Sequence, residues 1–83
     1  MAYLLKSDGT RVENVGTSLS VLQGLVGGYI EIVKTKDGKD MVVNEDGKSQ
    51  GLPLNEEATA MYVYGDSDVI LGDVVICEKR ELK

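Results

Sequence analysis

Residues 29–44 read YIEIVKTKDGKDMVVN, two strand-forming stretches joined by an Asp-Gly turn. The first stretch, Tyr29–Thr35, alternates apolar and polar residues, which is the pattern of a half-buried strand. Asp37-Gly38 supplies the positive φ that a tight hairpin turn needs, and Asp40–Asn44 returns as the second strand. This hairpin predicts an antiparallel sheet.

The same turn signature occurs twice more along the chain. Asp8-Gly9 joins two predicted strands, Tyr3–Lys6 and Thr10–Val15. Asp46-Gly47 closes the stretch Asn44–Lys48, with or without a short return strand. We expect a positive φ at the glycine of each Asp-Gly pair.

A helix is predicted between the first two hairpins. Ser18 is a suitable N-cap, and Gly27 stands where a left-handed glycine usually ends a helix. The apolar residues predicted to share one face are Leu19, Leu22, Leu25 and Val26. Gly24 weakens a helix by about 1 kcal/mol relative to alanine, so close packing against a neighbour is expected there.

A second, shorter helix is predicted to begin after Asn55, a fair N-cap that is followed by Glu56 and Glu57. Residues 61–64 fit either the end of this helix or a strand. Asp73–Glu78 contains an unbroken apolar run, which indicates a strand that is central or covered on both faces. The 83 residues therefore predict one α+β domain, a small mostly antiparallel sheet in the order ββαββ, short helix, β, with one principal helix on one face.

Composition narrows the range of partners. The formal net charge of −5, with no run of Lys or Arg, argues against binding a nucleic-acid polymer, whereas a small anion could still sit in a pocket. No apolar stretch spans a membrane and no signal peptide is evident, so we expect a cytoplasmic location. Cys77, the only cysteine, is expected to be buried and inert. A core this small, with no disulfide, gains from self-association, so a homo-oligomer is expected.

Catalysis and metal binding both lack their usual residues. The chain has no histidine and one cysteine, so no nucleophile–base pair and no zinc site is indicated. Adjacent carboxylates such as Glu45-Asp46 and Asp66 with Asp68 are typical of solvated turns. We therefore expect a protein that binds without turnover and needs no cofactor.

Two interpretations fit the polar residues around the central hairpin. In the first, Tyr29 covers an edge of the core and Asn55 only caps a helix. In the second, Tyr29, Asn44, Lys48 and Asn55 line one ligand cleft, where a tyrosine ring stacks on a base while its hydroxyl stays wet.

Several segments together resemble the DUF3846 family. They are LQGLVGGYIE at 22–31, NEDGK at 44–48 and GLPLNEEAT at 51–59. The resemblance implies a small protein of phages and mobile elements, and hence a location in the cytoplasm of the infected bacterial host. It further suggests, by analogy of context, an oligomeric sponge that sequesters a cyclic nucleotide of the anti-phage CBASS system.

The resemblance and the residues lead to three hypotheses. In the sponge hypothesis, Tyr29 or Tyr62 stacks on a base and Asn44 or Asn55 reads a base edge. The phosphates would be neutralised by a basic side chain, with the candidates Lys48, Lys34 and Arg11. In the second hypothesis, an acidic protein–protein inhibitor occupies a groove of a host factor, which requires a dense, one-sided carboxylate patch. In the third, a structural or regulatory phage protein has no small ligand.

Overall fold

The computed structural model describes residues 2–78, which form one antiparallel five-stranded sheet and two helices. The elements in chain order are β1 (Tyr3–Leu5), β2 (Arg11–Glu13), α1 (Leu19–Val26), β3 (Ile30–Lys34), β4 (Asp40–Asn44), α2 (Glu56–Met61) and β5 (Val74–Cys77). The predicted α+β class and the predicted order of elements are confirmed. The charged stretch 78–83 is predicted from the sequence to be a solvated end, and residues 79–83 of it lie outside the described residues.

Strand β5 lies at the centre of the sheet, whose order is β2-β1-β5-β4-β3. All four of its residues are buried, as the unbroken apolar run predicted. Val75 and Cys77 belong to the core under α1, whereas Val74 and Ile76 belong to a second core on the opposite face. The sheet is therefore covered on both faces, and the Cys77 thiol is buried as expected.

Helix α1 covers the first face and begins and ends as predicted. The Ser18 Oγ accepts a hydrogen bond from the Val21 N–H at 3.4 Å, and Gly27 closes the helix with φ 82°. Two predictions about its surface are wrong. Leu19 is 59% exposed, because it stands in the first turn beyond the reach of the core. A β-carbon on Gly24 would point into open space, so no neighbour requires a glycine there.

Helix α2 and the irregular chain after it cover the second face. The helix ends at Met61, and Tyr62 forms an isolated antiparallel bridge with Thr35, so residues 61–64 are neither a longer helix nor a full strand. Gly65 closes this turn tightly, since a β-carbon there would lie 2.0 Å from the Thr59 carbonyl oxygen.

The remaining differences concern turns and strand ends. Gly47 does not take the expected positive φ; Gly51 does, because residues 45–51 form a series of turns rather than a hairpin with a return strand. Strands β1, β2, β3 and β5 are each shorter than predicted by one to three residues. Within residues 2–78, neither helix has the length and apolar character that a membrane crossing requires.

Candidate functional site

A cleft of about 400 Å³ opens on the second face of the sheet, beside the first half of β3 and the last residues of β4, away from the turn that joins the two strands. Its walls come from β3 and β4, from the turn after β4, and from the chain at Tyr62 and 68–71. We call it the Tyr62 cleft. Its apolar residues are Val33, Val43, Val69, Ile70 and Leu71. Its polar and charged side chains are Glu31, Glu45, Asp46, Lys48, Ser49, Tyr62 and Asp68. Asn44 also borders the cleft, but its amide is turned towards α1 on the opposite face of the sheet.

Asn44, at the end of β4, holds the turn that forms one wall. Its Oδ1 accepts from the Asp46 N–H at 2.7 Å, and its Nδ2 donates to the Val26 carbonyl at 3.0 Å and to Gln50 Oε1 at 3.2 Å. The amide thus ties the turn to the end of α1, whose last carbonyls lack helical partners. The buried Asn44 amide is engaged within the protein and orients the charged residues that follow it.

Lys48 and Asp68 face each other across the mouth of the cleft. The Lys48 Nζ lies 3.1 Å from Asp68 Oδ1, which also accepts from the Val69 N–H at 2.8 Å. The Val69 N–H, and then the Lys48 ammonium, hold the pKa of the Asp68 carboxyl below its ordinary value. Both side chains are well exposed, so this ion pair adds little to stability.

Tyr62 supplies the aromatic wall. Its ring meets Tyr64 edge-on, with 5.7 Å between centroids and an angle of 88°. Burial, and then the carboxylates of Asp68 and Glu31, raise the pKa of the Tyr62 phenol above its ordinary value. The hydroxyl therefore stays protonated at neutral pH and can donate or accept a hydrogen bond at the cleft.

Charge in the cleft is strongly one-sided. Four carboxylates line it, those of Glu31, Glu45, Asp46 and Asp68, and among the described lining residues Lys48 carries the only positive charge. Lys48 pairs with Asp68, whereas the other three carboxylates form no ion pair within residues 2–78. Such a cleft favours a cation and disfavours an anion.

The DUF3846 family model, described as a domain of unknown function, matches residues 1–82. The chain belongs to the DUF3846 family. Searches of curated proteins and of solved structures returned no match. The family description assigns no activity to this DUF3846 protein.

Three of the seven predicted site residues of this DUF3846 protein meet in the Tyr62 cleft. They are Asn44, Lys48 and Tyr62. Tyr29 lies outside the cleft, immediately before β3, with 70% of its surface exposed. Lys34 also lies outside it and pairs with Asp40 at the hairpin end of the same strands.

Arg11 and Asn55 lie elsewhere in the fold. The Arg11 guanidinium stacks 4.3 Å from the centroid of the Tyr3 ring and lies 3.6 Å from a Glu57 carboxylate oxygen. Asn55 is 1% exposed, and its side chain makes three hydrogen bonds inside the protein. It borders a second cleft of about 230 Å³, together with Asp8 and the start of α2.

Sequence reasoning missed the acidic residues of the cleft. Glu45, Asp46 and Asp68 look like ordinary turn residues, and only the fold brings Asp68 next to the turn after β4. The one usable signal was Glu31, a carboxylate two residues after Tyr29 on an alternating strand. No group of three or more acidic, Cys or His side chains in residues 2–78 is arranged to hold a metal ion.

Proposed function

We propose that this DUF3846 protein is a non-catalytic binding protein whose Tyr62 cleft receives a cationic group on an apolar stem. The group is a guanidinium or an alkylammonium, such as an arginine or lysine side chain or a polyamine end. One observation carries the proposal: Glu31, Glu45 and Asp46 surround an apolar-walled cleft and form no ion pair within residues 2–78.

The lining matches such a ligand in both of its parts. An alkyl stem would pack on the apolar wall, which includes Val33 and Val43, while the charged head faces the carboxylates. The protonated Tyr62 phenol adds a group that can orient the head by a hydrogen bond. The cleft volume falls in the range of roughly 300–1,000 Å³ that small-ligand sites occupy.

The same cleft supports the protein–protein form of this function. An acidic inhibitor of a host factor needs a one-sided carboxylate patch, and the four carboxylates of the cleft are such a patch. A partner would then present a basic side chain that otherwise contacts nucleic acid. A free polyamine and a basic protein segment both present a cationic group on an apolar stem, and their relative affinities for the cleft distinguish them.

A second candidate is sequestration of a cyclic nucleotide in a phage anti-defence setting, as the family resemblance suggests. It is supported by the meeting of Lys48 and Tyr62 in one cleft, where a base could stack on the tyrosine. The carboxylates oppose it. A phosphate 4 Å from one carboxylate is repelled by about 4 kcal/mol at an effective dielectric constant of about 20, before screening by salt.

The experiment is an NMR titration of the ¹⁵N-labelled protein at low salt with three probes. They are agmatine, a short end-capped peptide whose only charged residue is an arginine, and a cyclic dinucleotide. We expect agmatine to shift the backbone amides of Glu31, Asp46 and Tyr62, with weaker shifts at high salt. Tighter binding of the peptide than of agmatine would identify a protein partner, and the reverse a free polyamine.

The matched control is a carboxylate far from the cleft. Glu31→Gln should weaken agmatine binding about two- to fivefold, the value of one exposed ion pair, whereas Glu13→Gln on β2 should leave it unchanged. Saturable binding of the dinucleotide, with no response to either cation, would overturn the proposal and favour the second candidate. A new product in the dinucleotide sample would contradict binding without turnover.

A further inference from the structure

Strand β3 is an edge of the sheet, and half of it is open. Hydrogen bonds of 2.9 Å from the Glu45 N–H to the Tyr29 carbonyl and from the Thr35 N–H to the Lys39 carbonyl fix the alternation of the β3–β4 ladder. The backbone groups of Ile30 and Ile32 therefore point away from β4. The Ile32 side chain beside them is 49% exposed. We call residues 28–32 the open edge.

The other edge positions are closed. The second half of β3 is covered by the chain after α2, because the Val63 N–H donates to the Lys34 carbonyl at 3.0 Å and the Lys36 N–H donates to the Met61 carbonyl at 2.8 Å. At the opposite edge, β2 is three residues long and its outward-pointing residues are the charged Arg11 and Glu13. Short, charged or covered edges resist pairing, whereas the residues of the open edge whose backbone groups point outward, Ile30 and Ile32, are uncharged and uncovered.

We propose that a second copy of this chain pairs with the open edge, antiparallel and about a two-fold axis at Ile30. A two-fold axis is the usual symmetry of a homodimer and makes the two contact surfaces identical. The pairing joins two five-stranded sheets into one continuous sheet. Each Ile30 exchanges both backbone hydrogen bonds with the other, and each Ile32 N–H donates to the Gly28 carbonyl of the second copy.

The register follows from elimination. Only the even-numbered residues of β3 have backbone N–H and C=O groups that point outward. A two-fold axis can therefore pass at Ile30, Glu31 or Ile32. An axis at Glu31 sets two carboxylates directly opposite each other, which is unfavourable. An axis at Ile32 needs the Lys34 carbonyl, which already accepts from Val63 in the covered half of the edge. The axis at Ile30 avoids both conflicts.

The favoured register also completes the Tyr62 cleft. With the axis at Ile30, Tyr29 of each copy stands opposite Glu31 of the other, on the sheet face that carries the cleft. Glu31 lines the cleft and Tyr29 is 70% exposed, so the phenol of one copy can donate to the carboxylate of the other. Tyr29, which lies outside its own cleft, would thereby line that of the second copy. This last step rests on the proposed function, whereas the pairing itself does not.

The first test is sedimentation velocity of the full chain. A contact this small is typical of a weak dimer, so we expect the mean mass to rise from near 9.0 kDa towards twice that value between about 10 µM and about 1 mM. Ile32→Pro removes an outward N–H without touching the β3–β4 ladder and should abolish the rise. Glu13→Pro removes an outward N–H at the other edge and should not. A parent that stays monomeric, or equal dimerisation of Ile32→Pro, would overturn the pairing.

A cross-linking test fixes the register and does not need the proline variant to fold. Opposed residues of a hydrogen-bonded pair lie about 5.5 Å apart, within disulfide range. Among Ile30→Cys, Glu31→Cys and Ile32→Cys, only the first should form a rapid symmetric disulfide under mild oxidation. The buried Cys77 is kept, and peptide mass spectrometry identifies the linked residue. Preferential linkage at 31 or 32 would overturn the register.

The contribution of Tyr29 to the cleft has its own readout. Tyr29→Ala should weaken agmatine binding at concentrations where the dimer forms and leave it unchanged where the protein is monomeric. No weakening in the dimer would overturn this contribution, with the pairing intact. A parent that dimerises but binds neither agmatine nor the arginine peptide would instead overturn the proposed function.

Discussion

Asn55 offers the sharpest test of how this fold is held together. Its side chain joins three separate parts of the chain at a point that is 1% exposed. Oδ1 accepts from the Ala58 N–H at 3.0 Å, which caps α2, while Nδ2 donates to the Leu5 carbonyl at 3.1 Å and to the Gly72 carbonyl at 2.9 Å. The residue thus links β1 and the start of β5 to the helix on the second face.

The loss of stability expected for Asn55→Ala follows from these contacts. Loss of an N-cap costs about 1 kcal/mol, and each buried carbonyl that loses its donor costs about 1 kcal/mol more. The sum of about 3 kcal/mol is a large part of the roughly 4–12 kcal/mol expected for 83 residues. In thermal unfolding it corresponds to a fall in Tm of about 12–24 °C.

Asn55→Asp separates the cap from the cross-links. The carboxylate keeps the acceptor for Ala58 and suits a helix N-terminus, yet it faces two carbonyl oxygens with no hydrogen to donate. We therefore expect Asn55→Asp to be at least as destabilising as Asn55→Ala at pH 7, and to recover partly at pH 4 on protonation. Urea unfolding followed by circular dichroism measures both. A variant Asn55→Asp as stable as the parent would refute the cross-linking argument.

Three further outcomes are expected. Gly65→Ala should cost about 2 kcal/mol or more, because its β-carbon collides with backbone, whereas Gly24→Ala should stabilise by about 0.5–1 kcal/mol; equal effects in urea unfolding would contradict this. Hydrogen bonds lower the pKa of three exposed carboxyl groups, those of Asp8, Asp37 and Asp68. Their ionised forms therefore stabilise the folded protein fully above the ordinary pKa of 3.8, and this stabilisation is lost as the pH falls through the lowered values. Replacing all three by Asn should make the free energy of unfolding depend less on pH below about pH 4. An unchanged dependence, measured by urea unfolding at several pH values, would count against this. Because the pKa of Tyr62 is raised, its contribution to stability is complete below pH 10 and is lost as the pH rises further. The free energy of unfolding of Tyr62→Phe should therefore fall less than that of the parent above pH 10, and an equal fall would contradict this.

Much of the architecture was readable because its signals are local. The Ser18 cap, the left-handed Gly27 and the Asp37-Gly38 turn each depend on a few neighbouring residues, and each lies where it was predicted. The continuous apolar run of β5 also carried tertiary information, since a strand with two buried faces has no polar face to show. Gly47 shows the limit: the same Asp-Gly pair adopts another conformation when the chain after β4 continues into turns.

Side-chain roles at a distance were not readable in the same way. Asn44 and Asn55 looked like candidate ligand-binding amides, and the fold uses both to tie distant segments together. Lys48 and Tyr62 were expected near one site and do meet there. Around them lie several carboxylates, which in the sequence look like ordinary residues of solvated turns.

Local patterns in the amino-acid sequence were enough to predict the order of the elements, the two helix caps, the burial of β5 and the membership of the DUF3846 family. Tertiary structure alone decided the electrostatic character of the Tyr62 cleft and the exposure of the open edge. The reason is physical: capping, turn formation and burial patterns depend on interactions within a few residues. The field in a cleft sums charges that the fold brings together, and Asp68 reaches Lys48 from 20 residues away.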